Sequence, residues 1–255
     1  MKNDGTPYQG LAYIYDRLLT GVDYEEWADY VLELSQSHGL DPSSVLDLAC
    51  GTGNSTLPWV KRGFSPVTGV DYSPTMIRLA RQKARELQLP ASFYCQDMRF
   101  FHLDVSYDLC VIYQDGLNYL TSIEDIIKTL ERIKKHLSPK GLFIFDLNMI
   151  DKLPVSPKPQ LGYVDEEEMT LVWESCYHEQ AHIWEIELTA FLKGEDNFYR
   201  KFKEKHRERN YRTGEIISIF DRLSWDILGF YEAFTQKTPS ANCRHVFFVV
   251  RPGGN

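Results

Sequence analysis

The chain is short of cysteine, of long apolar runs and of positive charge. Its five cysteines (Cys50, Cys95, Cys110, Cys176, Cys243) in 255 residues are an odd number without a C-x-x-C spacing. That excludes a disulfide scaffold and points to reduced thiols, and a chain of this length buries enough surface to need no covalent staple. No apolar stretch approaches the roughly 18–20 residues of a membrane span. Met1 to Gly10 is polar and lacks the apolar segment of a secretory signal, so the expected location is cytoplasmic. Lys and Arg total 28 against 36 Asp and Glu, a formal charge of −8, which argues against broad nucleic-acid binding built on phosphate neutralisation. The histidines share no metal-ligand spacing and no carboxylate cluster stands out, so no metal is expected. Repeats and low-complexity runs are absent as well.

What is present is an alternation of apolar runs and helical spacings. Tyr24 to Ser37 carries Trp27, Tyr30, Val31 and Leu34 at helical spacing. Val45 to Ala49, Val67 to Val70, Ala91 to Cys95, Tyr107 to Tyr113 and Leu142 to Leu147 read as buried strands. Helices are expected over Thr56 to Arg62, from Ser73-Pro74 to about Gln88, and from Ser122 to Leu137, the last stopped by Pro139-Lys140-Gly141. Strands alternating with helices predict an α/β fold with a doubly wound parallel sheet.

The pattern changes after Asn148. Leu153 to Gln160 holds three prolines and reads as a linker. Three strand-like stretches follow, Met169 to His178, His182 to Lys193 and Phe198 to Arg207, the last two joined by a turn at Gly194 to Asn197. Tyr211 to Leu223 is helical again, and Asp226 to Thr235 with Cys243 to Val250 form a C-terminal hairpin. The expected division is residues 1–150 with 208–255 as one α/β domain, and 151–207 as a small antiparallel β insertion lying as a lid over the substrate side. On the last strand Tyr199, Lys201, Lys203, Lys205, Arg207 and Arg209 share one face. That row reads either as a basic wall for an anionic substrate or as cross-strand ion pairs; folding the hairpin about Glu195 sets Glu187 by Lys203 and Glu185 by Lys205.

The segment Val45-Leu46-Asp47-Leu48-Ala49-Cys50-Gly51-Thr52-Gly53-Asn54 carries the chemistry. A strand ends in a glycine turn and a helix follows, so the backbone can approach a ligand closely and offer free N–H groups, at the carboxyl end of the sheet where such folds bind. The third glycine of G-x-G-x-x-G is missing and no Walker pattern exists, so a pyrophosphate ligand, and with it a nicotinamide oxidoreductase, is disfavoured. Asp71, 18 residues past Gly53 and at the end of the second strand, can accept from both hydroxyls of a ribose. Together these features suggest an adenosine-type cofactor without phosphates.

These residues resemble motif I of class I S-adenosylmethionine-dependent methyltransferases, and Asp71-Tyr72-Ser73-Pro74-Thr75-Met76 resembles their motif II. Gln96-Asp97-Met98 resembles the adenine-binding motif, and Tyr113-Gln114-Asp115 ends the fourth strand where the pocket closes. The likeness covers about residues 8 to 147. Tyr13-Ile14-Tyr15-Asp16, Asn118-Tyr119-Leu120, the insertion and His206-Arg207-Glu208-Arg209-Asn210-Tyr211 further resemble a bacterial subfamily of two-part small-molecule methyltransferases, with amino-sugar N-methyltransferases among its relatives.

The resemblance implies a Rossmann-like methyltransferase sheet, S-adenosyl-L-methionine as methyl donor with S-adenosyl-L-homocysteine as product, and a role for each residue. Ala49, Cys50 and Gly51 would meet the methionine part through their backbone, with Gly53 and Asn54 completing the loop. Asp47 would orient that loop or the cofactor's amino group, and Tyr15 would cover the methionine carboxylate. Asp71 would hold the ribose with Tyr72 and Met76 near the adenine; Gln96, Asp97 and Met98 would flank the ring, and Tyr113 would close the pocket. The expected reaction moves a methyl group to N or O of a small molecule by in-line displacement, mainly through proximity. His206 and Tyr119 are the candidate catalytic residues, although His206 also reads as a structural histidine. Asp115, Asn118, Asn148, Arg207 and Tyr211 are expected on the substrate side. An RNA-modifying enzyme and a non-catalytic cofactor-binding protein are the alternatives.

Overall fold

The computed structural model describes residues 10–149, 159–194, 196–240 and 243–254. The main sheet begins with β1 (Val45–Leu48), every residue of which is buried. It pairs in parallel with β2 (Val67–Asp71) on one side and β4 (Tyr107–Ile112) on the other. β3 (Ser92–Cys95) extends the β2 edge, and β5 (Leu137–Asn148) lies parallel to β4. The C-terminal hairpin of β10 (Trp225–Glu232) and β11 (His245–Pro252) adds antiparallel to β5, giving the order β10-β11-β5-β4-β1-β2-β3. This is the α/β, doubly wound Rossmann-like sheet with a C-terminal antiparallel hairpin that the sequence predicts.

Helices cover both faces because alternate residues of each strand point to opposite sides. Leu46, Leu48, Phe143, Phe145 and Phe248 pack with α5 (Ile123–His136) and α6 (Thr213–Arg222). Val45, Val67, Leu109, Ile144 and Phe247 pack with α2 (Tyr24–Ser37) through Trp27, Tyr30, Val31 and Leu34. The caps fix where the helices start. Asp23 accepts from the amides of Glu25 and Glu26, Ser73 from Met76 at the start of α4 (Pro74–Glu86), and Ser122 from Asp125. α3 (Leu57–Lys61) is one short turn with proline in it. No helix among the described residues is long and apolar enough to cross a membrane.

The second sheet follows β5 in the chain and is antiparallel, in the order β6 (Gln160–Glu166), β7 (Met169–His178), β8 (Ile183–Lys193) and β9 (Tyr199–Arg209). It has four strands where the sequence suggested three: β6 starts at Gln160, the last residue of the expected linker. The rest of that linker up to residue 158, like Glu195 in the turn, lies outside the described residues. The inner face of this sheet, with Met169, Leu171, Leu188 and Ala190, is covered by Leu11 and Ile14 of the N-terminal segment that forms α1 (Ala12–Leu18).

Two further expectations are corrected. β5 begins at Leu137, directly after α5, and Pro139 to Gly141 fall in a register shift of the strand instead of a loop. The hairpin of β8 and β9 folds two residues away from the predicted register, so that Glu187 faces Lys205 and Glu185 faces Arg207. The charge pairing survives in that register, with Lys205 Nζ 2.6 Å from Glu185 and 3.3 Å from Glu187.

Candidate active site

A cleft opens at the carboxyl ends of β1, β2 and β4, the place where sheets of this kind bind their ligands. Its floor is the loop after β1. Ala49, Gly51 and Gly53 all have positive φ, at 58°, 52° and 82°, and at Gly53 the space is closed too, since an added Cβ would lie 2.9 Å from the Phe93 ring. Asp47, fully buried under the loop, accepts from the hydroxyls of Ser55 at 2.7 Å and Thr56 at 2.6 Å. Burial pushes its carboxyl up to about 7, against the pull of those two hydroxyls. It holds the loop from below and is not part of the cleft wall.

Asp71 ends β2 at the cleft. One of its oxygens accepts from the Gly51 amide at 2.9 Å and the other from Ser73 at 2.8 Å, which leaves acceptor capacity on both. The walls also include Tyr15, Cys50, Asn54, Tyr72, Met76, Met98, Tyr113 and Tyr119. A carboxylate at a strand end, backbone exposed by a glycine turn, and aromatic and thioether walls form a donor and acceptor set that suits an adenosyl sulfonium. The Cys50 thiol is driven up by burial first and by Asp47 and Asp71 second, so it stays protonated and unreactive.

Other contacts around the cleft carried no signal in the sequence. Tyr24, at the start of α2, lines the cleft and donates to Gln114 Oε1 at 2.8 Å. Thr52 and Asn54 are tied to Asp16 of α1, at 2.5 and 2.9 Å, and Lys83 of α4 joins Asp16 at 2.7 Å. α1 is thereby fastened over the glycine loop. No local pattern announces these contacts, because they join segments 29 to 90 residues apart in the chain.

Several expected site residues are engaged with other parts of the chain. Gln96 binds the backbone of His102 through both ends of its amide. Asp97 forms a two-pronged ion pair with Arg99, which holds its carboxyl below the usual range against the opposing effect of burial, and it is not among the cleft-lining residues. Asn118 is fully buried and donates to the Arg209 carbonyl at 2.9 Å, which staples β9 to the turn after β4. Tyr211 is fully buried with its hydroxyl on the Leu120 carbonyl. Arg207 points from the outer face of β9 toward Glu185 at 3.6 Å, because strand alternation puts it opposite His206. These last three residues are therefore corrected from substrate-side positions to structural or outward ones.

His206, Glu204 and Glu208 share the inner face of β9. His206 is buried, with Nδ1 3.3 Å from the Tyr119 hydroxyl and Nε2 3.3 Å from Glu204. Glu204 also accepts from the amides of Gly10 at 2.6 Å and Leu11 at 3.0 Å. Tyr119 thus connects the cleft to a buried polar chain that ends at α1.

Beside the cleft, Asp115 and Asn148, both expected on the substrate side, belong to a second polar group whose other members the sequence did not single out. Asp115, Asp146 and His245 each place an atom within 4.8 Å of the others. They come from the ends of β4, β5 and β11, which the sheet brings side by side. His245 Nε2 lies 2.7 Å from Asp146 Oδ2, and the two carboxylates outweigh burial and raise its pKa. Asn148 donates to Asp115 at 3.4 Å.

A profile described as a methyltransferase domain matches residues 45–141. A Geobacillus sp. (strain WCH70) protein named as a methyltransferase is 32% identical over 246 residues, covering 96% of this chain and 99% of that one. The dTDP-3-amino-3,6-dideoxy-alpha-D-glucopyranose N,N-dimethyltransferase of Streptomyces fradiae is 25% identical over 222 residues, 86% of this chain and 82% of its own length. Among solved structures, an S-adenosylmethionine-dependent methyltransferase from Clostridium acetobutylicum ATCC 824 matches with a TM-score of 0.85 at 29% identity, over 98% of this chain and 100% of that one. The glycine loop, the Asp71 carboxylate at the cleft and these full-length likenesses agree, and the chain belongs to the class I S-adenosylmethionine-dependent methyltransferases.

Proposed function

We propose that this methyltransferase acts on N or O of a small molecule held between the cleft and the second sheet. Residues 1–150 with 208–255 bind the cofactor in this reading, and 151–207 serve as a cover. The observation that carries it is the contact of Tyr119, a wall of the cleft, with His206 on the inner face of β9. A sheet packed that close to the methyl-donor cleft leaves room for a compact acceptor. The N,N-dimethyltransferase relative is consistent with such an acceptor.

The cofactor supplies a methyl group on a sulfonium whose leaving thioether is neutral. The chain's part is to bind, align and exclude water. The Ala49 to Gly51 backbone takes the methionine part under Tyr15, Asp71 takes the ribose hydroxyls, and Tyr72, Met76 and Met98 take the adenine. Tyr119 and His206 border the acceptor, where alignment alone is worth about 7–11 kcal/mol in favourable cases.

Two measurements test this. Calorimetry should show S-adenosylmethionine and S-adenosylhomocysteine binding, lost in Asp71→Ala. With radiolabelled methyl donor and a cell extract split by size, label should enter the low-mass fraction. Label in RNA or protein instead would overturn the small-molecule reading.

A further inference from the structure

We propose that Glu204 is a positioning residue for methyl transfer: it fixes the ring of His206 so that Nδ1 can take, through Tyr119, the proton that the acceptor gives up. This rests on the small-molecule reading above and names the groups that prepare the acceptor at the same site.

The two oxygens of Glu204 have different duties. Oε1 accepts from the amides of Gly10 at 2.6 Å and Leu11 at 3.0 Å, at the start of α1. Oε2 lies 3.3 Å from His206 Nε2. His206 keeps 5% and Glu204 2% of its side-chain surface exposed, so water has little access to either. A carboxylate accepts and cannot donate. The ring nitrogen facing it therefore carries a hydrogen, and in the neutral imidazole that leaves the lone pair on Nδ1. Nδ1 is 3.3 Å from the Tyr119 hydroxyl, and Tyr119 is a wall of the cofactor cleft. The chain of groups runs from the cleft inward as Tyr119, His206 and Glu204, and ends on a carboxylate anchored by main-chain amides.

Glu208 meets the same hydroxyl from the inner face of β9. Burial raises its carboxyl, with Tyr119 and His206 opposing. In its acid form Glu208 donates to the Tyr119 oxygen and leaves the tyrosine's own hydrogen to Nδ1.

The step balances. The bond between the acceptor atom and its hydrogen breaks, and the proton passes to the Tyr119 oxygen while the hydrogen of Tyr119 passes to His206 Nδ1. The electron pair left on the acceptor atom forms the bond to the methyl carbon. The C–S bond breaks and its electrons stay on sulfur as a neutral thioether. The imidazolium lies against Glu204 until the product leaves, then returns its proton by the same path to water. Such a relay serves an acceptor that still carries its proton when methylation begins, as a hydroxyl does; an amine arriving as the free base needs none.

The test is Glu204→Gln in the full chain. The amide oxygen can keep the Gly10 and Leu11 contacts, while the NH2 group takes the place of Oε2 opposite Nε2. A donor there draws the lone pair to Nε2 and puts the hydrogen on Nδ1, which then no longer accepts. This is the wrong-tautomer effect seen when the Asp of a Ser-His-Asp triad becomes Asn. Nitrogen NMR on ring-labelled histidine, saturated with S-adenosylhomocysteine and assigned with His206→Gln, should place the hydrogen on Nε2 in the wild type and in Tyr119→Phe, and on Nδ1 in Glu204→Gln. Calorimetry should show Glu204→Gln binding S-adenosylhomocysteine nearly as the wild type does. Labelling of the low-mass fraction of a cell extract from radiolabelled methyl donor should fall roughly 100-fold or more in Glu204→Gln and in Tyr119→Phe. Hydrogen on Nδ1 or on both nitrogens in the wild type, an unchanged tautomer or lost cofactor binding in Glu204→Gln, or transfer by either variant at the wild-type rate would each overturn the proposal. Wild-type label in RNA or protein breaks the small-molecule reading, whereas low-mass label that survives in the variants breaks only this one.

Discussion

Asp47 shows how a single buried carboxyl sets the behaviour of the cofactor loop. It has no cation beside it, so burial favours its neutral form and its folded pKa, about 7, lies above the usual carboxylate value. The folded chain therefore holds this proton where the unfolded chain has lost it, and stability from this group falls as pH rises from about 4 through 7. Asp47→Asn removes the titration while keeping an acceptor for Ser55 and Thr56. The variant should differ least from the wild type near pH 4 and exceed it above pH 8, by on the order of 2–4 kcal/mol. Denaturant unfolding at the two pH values checks it; equal stabilities at both would mean the group is ionised and solvated in the native state. Gly53 gives the steric counterpart. Its φ of 82° and the Phe93 ring 2.9 Å from an added Cβ predict that Gly53→Ala costs about 1–3 kcal/mol. Gly21→Ala, with nothing within 4 Å, should leave the melting temperature nearly unchanged.

Among the elements, α1 depends most on the rest of the chain. Seven residues without a side-chain cap do not make a stable helix alone. It stays because Leu11 and Ile14 pack on the second sheet and Glu204 accepts two amides at its start. Glu204→Ala strands those amides and should weaken S-adenosylhomocysteine binding by about tenfold, roughly 1.4 kcal/mol, because Tyr15 and Asp16 lose their platform. Glu204→Gln keeps an acceptor and should recover most of the affinity in calorimetry; no loss in Glu204→Ala would detach α1 from cofactor binding. The same dependence explains why the sequence does not reveal α1: two turns are too short to show a helical period, and the partners of Leu11 and Ile14 lie on β7 and β8, far along the chain. β1, β2, β4 and residues 142–147 of β5 are legible because burial on both faces makes them continuous apolar runs. β6 is not, since Leu161 and Tyr163 on it stay exposed and prolines precede it. The hairpin register slips because turn composition does not locate the turn's centre. At the site, Asp71 and Met76 follow from a strand end and a capped helix. Asn118 and Tyr211 could not be placed, since only distant backbone carbonyls show that the Asn118 amide nitrogen and the Tyr211 hydroxyl donate inside the fold.

At the scale of the whole molecule the two sheets are joined by α1 and β9 as well as by the covalent connection. α1 fastens to the glycine loop through Asp16 on one side and to the second sheet through Leu11, Ile14 and Glu204 on the other. β9 carries Glu204, reaches Tyr119 through His206 and is stapled by Asn118. Filling the cofactor cleft must therefore steady both elements, because local opening of either breaks contacts shared with the other. Hydrogen exchange measured with and without S-adenosylhomocysteine should show slower exchange in α1 and in β9 together. The start of β6, residues 160–162 at the far edge of the second sheet and away from the Arg17–Glu166 ion pair with α1, should be unaffected. In Glu204→Gln the protection of α1 should persist while that of β9 shrinks, because the link to His206 is weakened. Protection confined to α1 and the β1 loop in the wild type would mean that the cover responds to the acceptor alone. Protection spreading to β9 with cofactor only would mean that the methyl donor prepares the acceptor's enclosure before the acceptor arrives.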